Sequence, residues 1–202
     1  RGAILALLIQ KPTLMERVDF GGTIGYLILA VGAVGLLLWI ERVIYLTAIS
    51  GKVKSQIKSD TVNENNPLGR ILAVHERNKG ADVETLELKI DEAILKEMPP
   101  LERFLTMIKL ISAIAPLMGL LGTVTGMINT FQSMTLFGTG DPKLMAGGIS
   151  QALVTTVLGI VVALPMLFLH SIVNGMSQRV VHTLEEQSAG IIAVHAEQKK
   201  GA

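Results

Sequence analysis

Residues 144–172 read LMAGGISQALVTTVLGIVVALPMLFLHSI, with no Asp, Glu, Lys or Arg anywhere in the run. A helix needs about 20 such residues to cross about 30 Å of hydrocarbon. Two further stretches have the same character. Gly22–Ile40 (GTIGYLILAVGAVGLLLWI) lies between Asp19 and Glu41, and Leu110–Ile128 (LISAIAPLMGLLGTVTGMI) follows Lys109. Three long uncharged runs in 202 residues exceed what buried core helices would require. The whole chain agrees: it is 50% hydrophobic, 17% charged and has a mean hydropathy of +0.50, whereas a soluble domain carries roughly 25% charge. The expected fold is an all-α membrane protein with three transmembrane helices, at 22–40, 110–130 and 144–172.

Several function classes drop out. With no cysteine, disulfide scaffolds, thiolate metal sites and cysteine nucleophiles are excluded. His75, His170, His182 and His195 are too dispersed for a histidine metal site, and no Gly-rich phosphate loop or Ser/His pair occurs. No catalytic residue, metal or cofactor is therefore expected, and the chain is not read as an enzyme. A net charge of +1 makes no electrostatic case for nucleic acid.

Charge sets the expected orientation. Of the 18 Lys and Arg residues, 11 fall within 41–109, one within 129–143, three before the first span and three after the third. Positive residues remain on the cytoplasmic side. Residues 41–109 and 173–202 are thus expected to be cytoplasmic, and 1–21 and the short connection 131–143 periplasmic. Gly2–Ile9 is apolar but too short to span, and reads as an interfacial helix. Arg1 in place of Met suggests a processed product or part of something longer.

The segment 41–109 carries helix signals. Lys52–Lys58 continues the first span, and Pro67 opens an amphipathic stretch ending near Gly80. Asp82 caps VETLELKIDEAILKEM. Pro99-Pro100 is expected to stop that helix, with Leu101 onward running unbroken into the second span. Asp141-Pro142 starts the third helix, which would continue to about Gln198, about 80 Å at 1.5 Å per residue. Helices two and three are thus expected to extend into the cytoplasm.

The most informative pattern is made of small residues. Ser112, Ala115, Gly119, Gly122 and Gly126 repeat at steps of three and four, as do Gly148, Ala152, Thr156, Gly159 and Ala163. In lipid no hydrophobic force draws helices together, and close backbone approach supplies the packing. Gly119, Gly122, Gly126, Gly148 and Gly159 are expected to seat another helix, of this chain or of a neighbour. Thr123, Ser150, Gln151, Thr155 and Thr156 lie on or beside these stripes, and polar groups at membrane depth need partners or water. They satisfy either interhelical hydrogen bonds or the lining of an enclosed lumen. Pro116 and Pro165 each leave a carbonyl unpaired and are expected to kink their helices. None of the three spans holds Asp, Glu, Lys or Arg, whereas an ion-driven machine keeps an ionisable group at that depth. Any titrating group must come from another subunit.

At Ala115–Phe131 (APLMGLLGTVTGMINTF) and Gly147–Pro165 (GGISQALVTTVLGIVVALP), the chain resembles the ExbB/TolQ/MotA family of proton-channel motor subunits, most of all its ExbB branch. The resemblance implies an inner-membrane oligomeric ring, a pentamer, whose second and third spans line a central pore. In that pore would sit the helices of an ExbD-like single-span partner carrying a membrane aspartate. The proton gradient would energise a TonB-like transducer serving outer-membrane transport. The family's pore threonines fall on Thr123 and Thr156. Family members commonly have a glutamate five residues before the second threonine; here that position is Gln151, which cannot titrate.

Other readings are a TolQ-like part in envelope constriction, a MotA-like flagellar part (weaker, since that branch has four spans), a self-contained ion channel, and a membrane scaffold. A self-contained channel lacks its internal charges or repeats here, and a scaffold leaves the polar stripe idle.

Overall fold

The structure is a computed structural model describing residues 18–59, 61–138 and 142–200. Among these residues all regular structure is helical, in five helices: α1 Gly22–Ile57, α2 Pro67–Arg77, α3 Val83–Glu102, α4 Leu105–Phe137 and α5 Pro142–Lys200. Helices α1, α4 and α5 are long and apolar enough to cross a membrane. The expected interfacial helix at Gly2–Ile9 and the Asp141 cap lie outside the described residues.

Local chemistry explains the boundaries. Asn66 caps α2, its side chain accepting from the Gly69 amide at 2.8 Å with Pro67 at the first helical position. Asp82 caps α3 by accepting from the Thr85 amide at 3.0 Å. That bond holds the Asp82 carboxyl below the usual carboxylate range. Gly138, at φ +76°, follows the end of α4 in the left-handed region open to glycine. Helix therefore occupies 131–137 and resumes at Pro142, within the stretch expected to be a connection.

Two expectations at the start of α4 need correction. Pro99 and Pro100 do not stop α3, which passes through both to Glu102, and Leu101 does not run unbroken into the second span. The break falls at Arg103 and Phe104, where Phe104 has φ +63°. Left-handed backbone costs a non-glycine residue about 1–2 kcal/mol. Tertiary bonds hold the proline turn in place: the Pro100 carbonyl accepts from Arg42 Nη1 at 3.0 Å, and the Leu101 carbonyl from Ser177 Oγ at 3.1 Å. The guanidinium groups of Arg42 and Arg103 also lie over the Phe104 ring, at 5.5 and 4.6 Å. Consequently α4 starts only at Leu105, and the long continuations past an apolar span belong to α1, which reaches Ile57, and α5, which reaches Lys200.

The chain forms two compact units. One comprises residues 1–37 and 107–168, the other 38–106 and 169–202. The second has a core of large aliphatic side chains, with Leu46, Leu68, Ile71, Leu86, Ile90, Leu101, Val173 and Leu184 all buried. Within it α2 packs on α3. Arg70 joins them through a two-pronged ion pair to the nearly buried Glu97, at 2.7 and 2.6 Å. Arg42, 2% exposed, grips Glu41 through two nitrogens and lies 4.6 Å from the Tyr45 ring centre.

Candidate functional site: the α4–α5 glycine seam

The first unit is held by backbone contact. A Cβ built on Gly119 would stand 2.9 Å from the Thr155 carbonyl and 3.2 Å from the Thr156 Cα. One on Gly126 would meet the Gly148 carbonyl at 2.8 Å, and one on Gly159 the Ala115 carbonyl at 2.7 Å. Real Cβ atoms do not come so close to backbone, so only glycine allows these two helices their spacing. The two small-residue stripes thus seat against each other within a single chain. Gly122 receives the Thr155 side chain, and Gly148 that of Thr130.

The hydroxyls separate into two kinds. Thr155 and Thr130 are buried inside the seam, where Thr155 Oγ1 donates to the Gln151 or Ala152 carbonyl at 3.1 and 2.9 Å, and Thr130 Oγ1 to the Gly126 carbonyl at 2.9 Å. Thr155 was expected among the lining residues. Its 0% exposure makes it a packing residue instead, because the Gly122 hollow closes over it. Thr123 and Thr156 stay half-exposed, with Thr123 Oγ1 donating to the Leu120 carbonyl at 2.6 Å and Thr156 Oγ1 to the Ala152 carbonyl at 3.3 Å. Each hydroxyl keeps acceptor capacity for an incoming donor. No hydrogen bond joins the two threonines.

The other expected residues are scattered. Gln151 is half-buried, its amide lying where a Cβ on Gly22 would be 2.7 Å from Nε2, and Gly22 itself has φ +57°. Ser150 is half-buried. Pro116 lies on the seam, its Cα 3.3 Å from a Cβ built on Gly159, whereas Pro165 is exposed. α4 and α5 both pass through their prolines without interruption.

Sequence reasoning missed the seam's partner in the first span. Gly21 and Gly25 face Leu158, Gly32 faces Val162, and Gly35 faces Met166 and Ile111. The spacing of these glycines was a readable signal: small residues along α1 and just before it receive large side chains from α5 and, at Gly35, also from α4. Thr130 was also missed, although it lies at the last position of the expected second span and four residues beyond Gly126.

Comparison with known proteins fits this geometry. The family model described as the MotA/TolQ/ExbB proton channel family matches residues 63–186. The chain belongs to that family. Its relatives include the biopolymer transport protein ExbB-like 3 of Synechocystis sp., 35% identical over 66% of this chain and 64% of the relative. An ExbB homolog of Methanothermobacter thermautotrophicus is 32% identical over 81% of this chain and 63% of its own length. The biopolymer transport protein ExbB of Xanthomonas campestris is 28% identical over 48% of this chain and 39% of that protein. The matched part thus spans just under two thirds of the first two relatives. Membership of the family and three membrane-length helices make the chain a membrane protein.

Proposed function

We propose that this chain is the ring-forming subunit of a proton-driven motor in a bacterial inner membrane. Several copies, five by resemblance to the ExbB branch, surround the membrane helix of an ExbD-like partner, with the N-terminus periplasmic and the C-terminus cytoplasmic. The partner's aspartate takes up and releases the proton, and a TonB-like transducer passes the work on to outer-membrane transport.

The observation that carries this reading is the contrast within the seam. Glycine contact fixes α4 against α5 while leaving the hydroxyls of Thr123 and Thr156 half-exposed beside it, and no Asp, Glu, Lys or Arg lies in any of the three uncharged runs. A carboxylate is costly at membrane depth unless it is neutralised or hydrogen-bonded. While Thr123 and Thr156 donate to their own backbone carbonyls, their oxygens can accept from the partner's acid once it is protonated, without a competing charge. A proton moving through 100 mV releases about 2.3 kcal/mol, enough to bias the partner helix from one hydroxyl set to the next. Gln151 serves here only as a hydrogen-bonding group.

Thr156→Val tests the reading, since it keeps the shape and removes the hydroxyl. Energy coupling in cells should be nearly abolished while the complex with its partner still purifies intact. Full coupling in that variant would overturn the assigned role. Proton flux through the purified chain alone in liposomes would favour the self-contained channel.

A further inference from the structure

Two faces of the polar unit are complementary and lie on different helices. On α3, Leu88 and Leu95 are 66% and 63% exposed although they stand seven residues apart on one face. The same face carries Glu84, Asp91, Glu92 and Glu102, all exposed, and no cation. Glu92 is tied to Lys96 on the flank at 2.6 Å; the other three carboxylates have no ion pair among the described residues. An outward face of two leucines among carboxylates is neither a plain solvated surface nor a buried one.

The counterpart is a groove between α1 and α5 of the same unit, with a volume of about 520 Å³. Its apolar wall is Leu46 and Met176, Gly51 leaves it open, and Lys54, Arg179 and His182 border it. Nothing stands within 4 Å of a Cβ built on Gly51. Lys54 and Arg179 have no ion pair among the described residues, and no carboxylate lines the groove.

We propose that the α3 face of one copy docks into the α1–α5 groove of the next, with a leucine entering beside Gly51 and the α3 carboxylates meeting Lys54 and Arg179. Charge complementarity selects the occupant: an acidic, leucine-bearing helix suits a cationic, apolar-walled groove, and each copy carries both halves. A contact between two different faces of one chain is heterologous, and it closes into a ring when the rotation fits. Apolar anchors in a pocket supply the affinity, while the surrounding charges fix the register. The contact rests on the ring reading above and specifies which surfaces build the ring outside the membrane spans.

The absence of native cysteine makes the test clean. Leu95→Cys and Gly51→Cys are combined in one full-length chain, with Leu88→Cys and Gly51→Cys as the alternative register, and the native mass is measured alongside. Under mild oxidation, a reducible ladder of multimers in one of the double variants, with no crosslinked dimer in either single variant, is the expected result. Adding Lys54→Glu and Arg179→Glu should remove most of that ladder. An intact oligomer with no ladder from either pair overturns the contact but leaves the ring standing, and gives the groove to another occupant such as lipid. A crosslinked dimer from Leu95→Cys alone overturns it in favour of α3 meeting α3. A monomeric native mass overturns both the contact and the ring.

Discussion

The two units of this chain solve one packing problem in opposite ways. In the unit built from 1–37 and 107–168, helices meet where side chains are smallest, and carbonyls of one helix lie against glycine Cα positions of the next. In the unit built from 38–106 and 169–202, helices meet through leucine, isoleucine and valine, with polar caps and the Arg70–Glu97 pair at the edges. The difference follows from the solvent each composition suits. Lipid tails are as apolar as leucine, so a large side chain gains little by moving from lipid to protein, and closeness of backbone is what remains. In water the gain comes from removing apolar area, at about 25 cal/mol per Å². Glycine thus sets the helix spacing in one unit, whereas in the other Gly51, Gly80, Gly175 and Gly190 stand in open space and only Gly69 is hemmed in, by the Asn63 carbonyl of the adjoining loop.

The largest expected effect breaks that contrast in the first unit. Gly159→Val would drive a β-branched side chain into the Ala115 carbonyl, which a Cβ alone already approaches to 2.7 Å. Overpacking of this kind costs about 3 kcal/mol, and thermal unfolding in detergent should show it as a markedly lower midpoint. A midpoint equal to that of the parent chain would mean that α4 and α5 do not meet there.

The same residue type in the second unit should behave oppositely. Gly190 lies inside α5, is exposed, and a Cβ there meets nothing within 4 Å. Gly190→Ala is expected to stabilise by about 0.5–1 kcal/mol through helix propensity alone, read as a raised unfolding midpoint. Destabilisation would show that the exposed side of α5 is covered in the assembly.

The smallest effect concerns pH and again separates the units. His75 on α2 meets His195 on α5 edge to face, with ring centres 5.7 Å apart, and His195 Nε2 lies 3.1 Å from the Ala81 carbonyl. Burial pushes the His75 imidazole below its ordinary value of 6.5; neighbouring His195 and Lys79 act the same way, and Glu76 opposes them. A histidine with a depressed folded-state pKa leaves the fold fully stable above the unfolded value and weakens it as pH falls below. Stability should therefore decline modestly between pH 7 and pH 5.5. The slope should flatten in His75→Gln, and an unchanged slope would remove His75 from the account. The first unit has no such group among its seam residues.

Much of this was legible in the sequence because it depends on local rules. Three uncharged runs of membrane length, a helix start at Pro67, a cap at Asp82, and a helix from Pro142 that stays unbroken to Lys200 follow from composition and from residues within a few positions of one another. The glycine stripes were legible as packing faces for the same reason: period and residue size are sequence properties. The branch point between Thr155 and Thr156 was not. The two are chemically identical neighbours, and only the position of Gly122 on another helix buries one and leaves the other open.

The sequence alone therefore determined which segments suit lipid, where α2 and α3 begin, and that no charge of its own sits in the three apolar runs. Tertiary structure decided the rest. It set the break at Phe104 rather than at the prolines, because Arg42 and Ser177 reach the last turn of α3 from distant positions. It likewise set the partners of each glycine, because helix spacing is a property of two surfaces and no single stretch contains both.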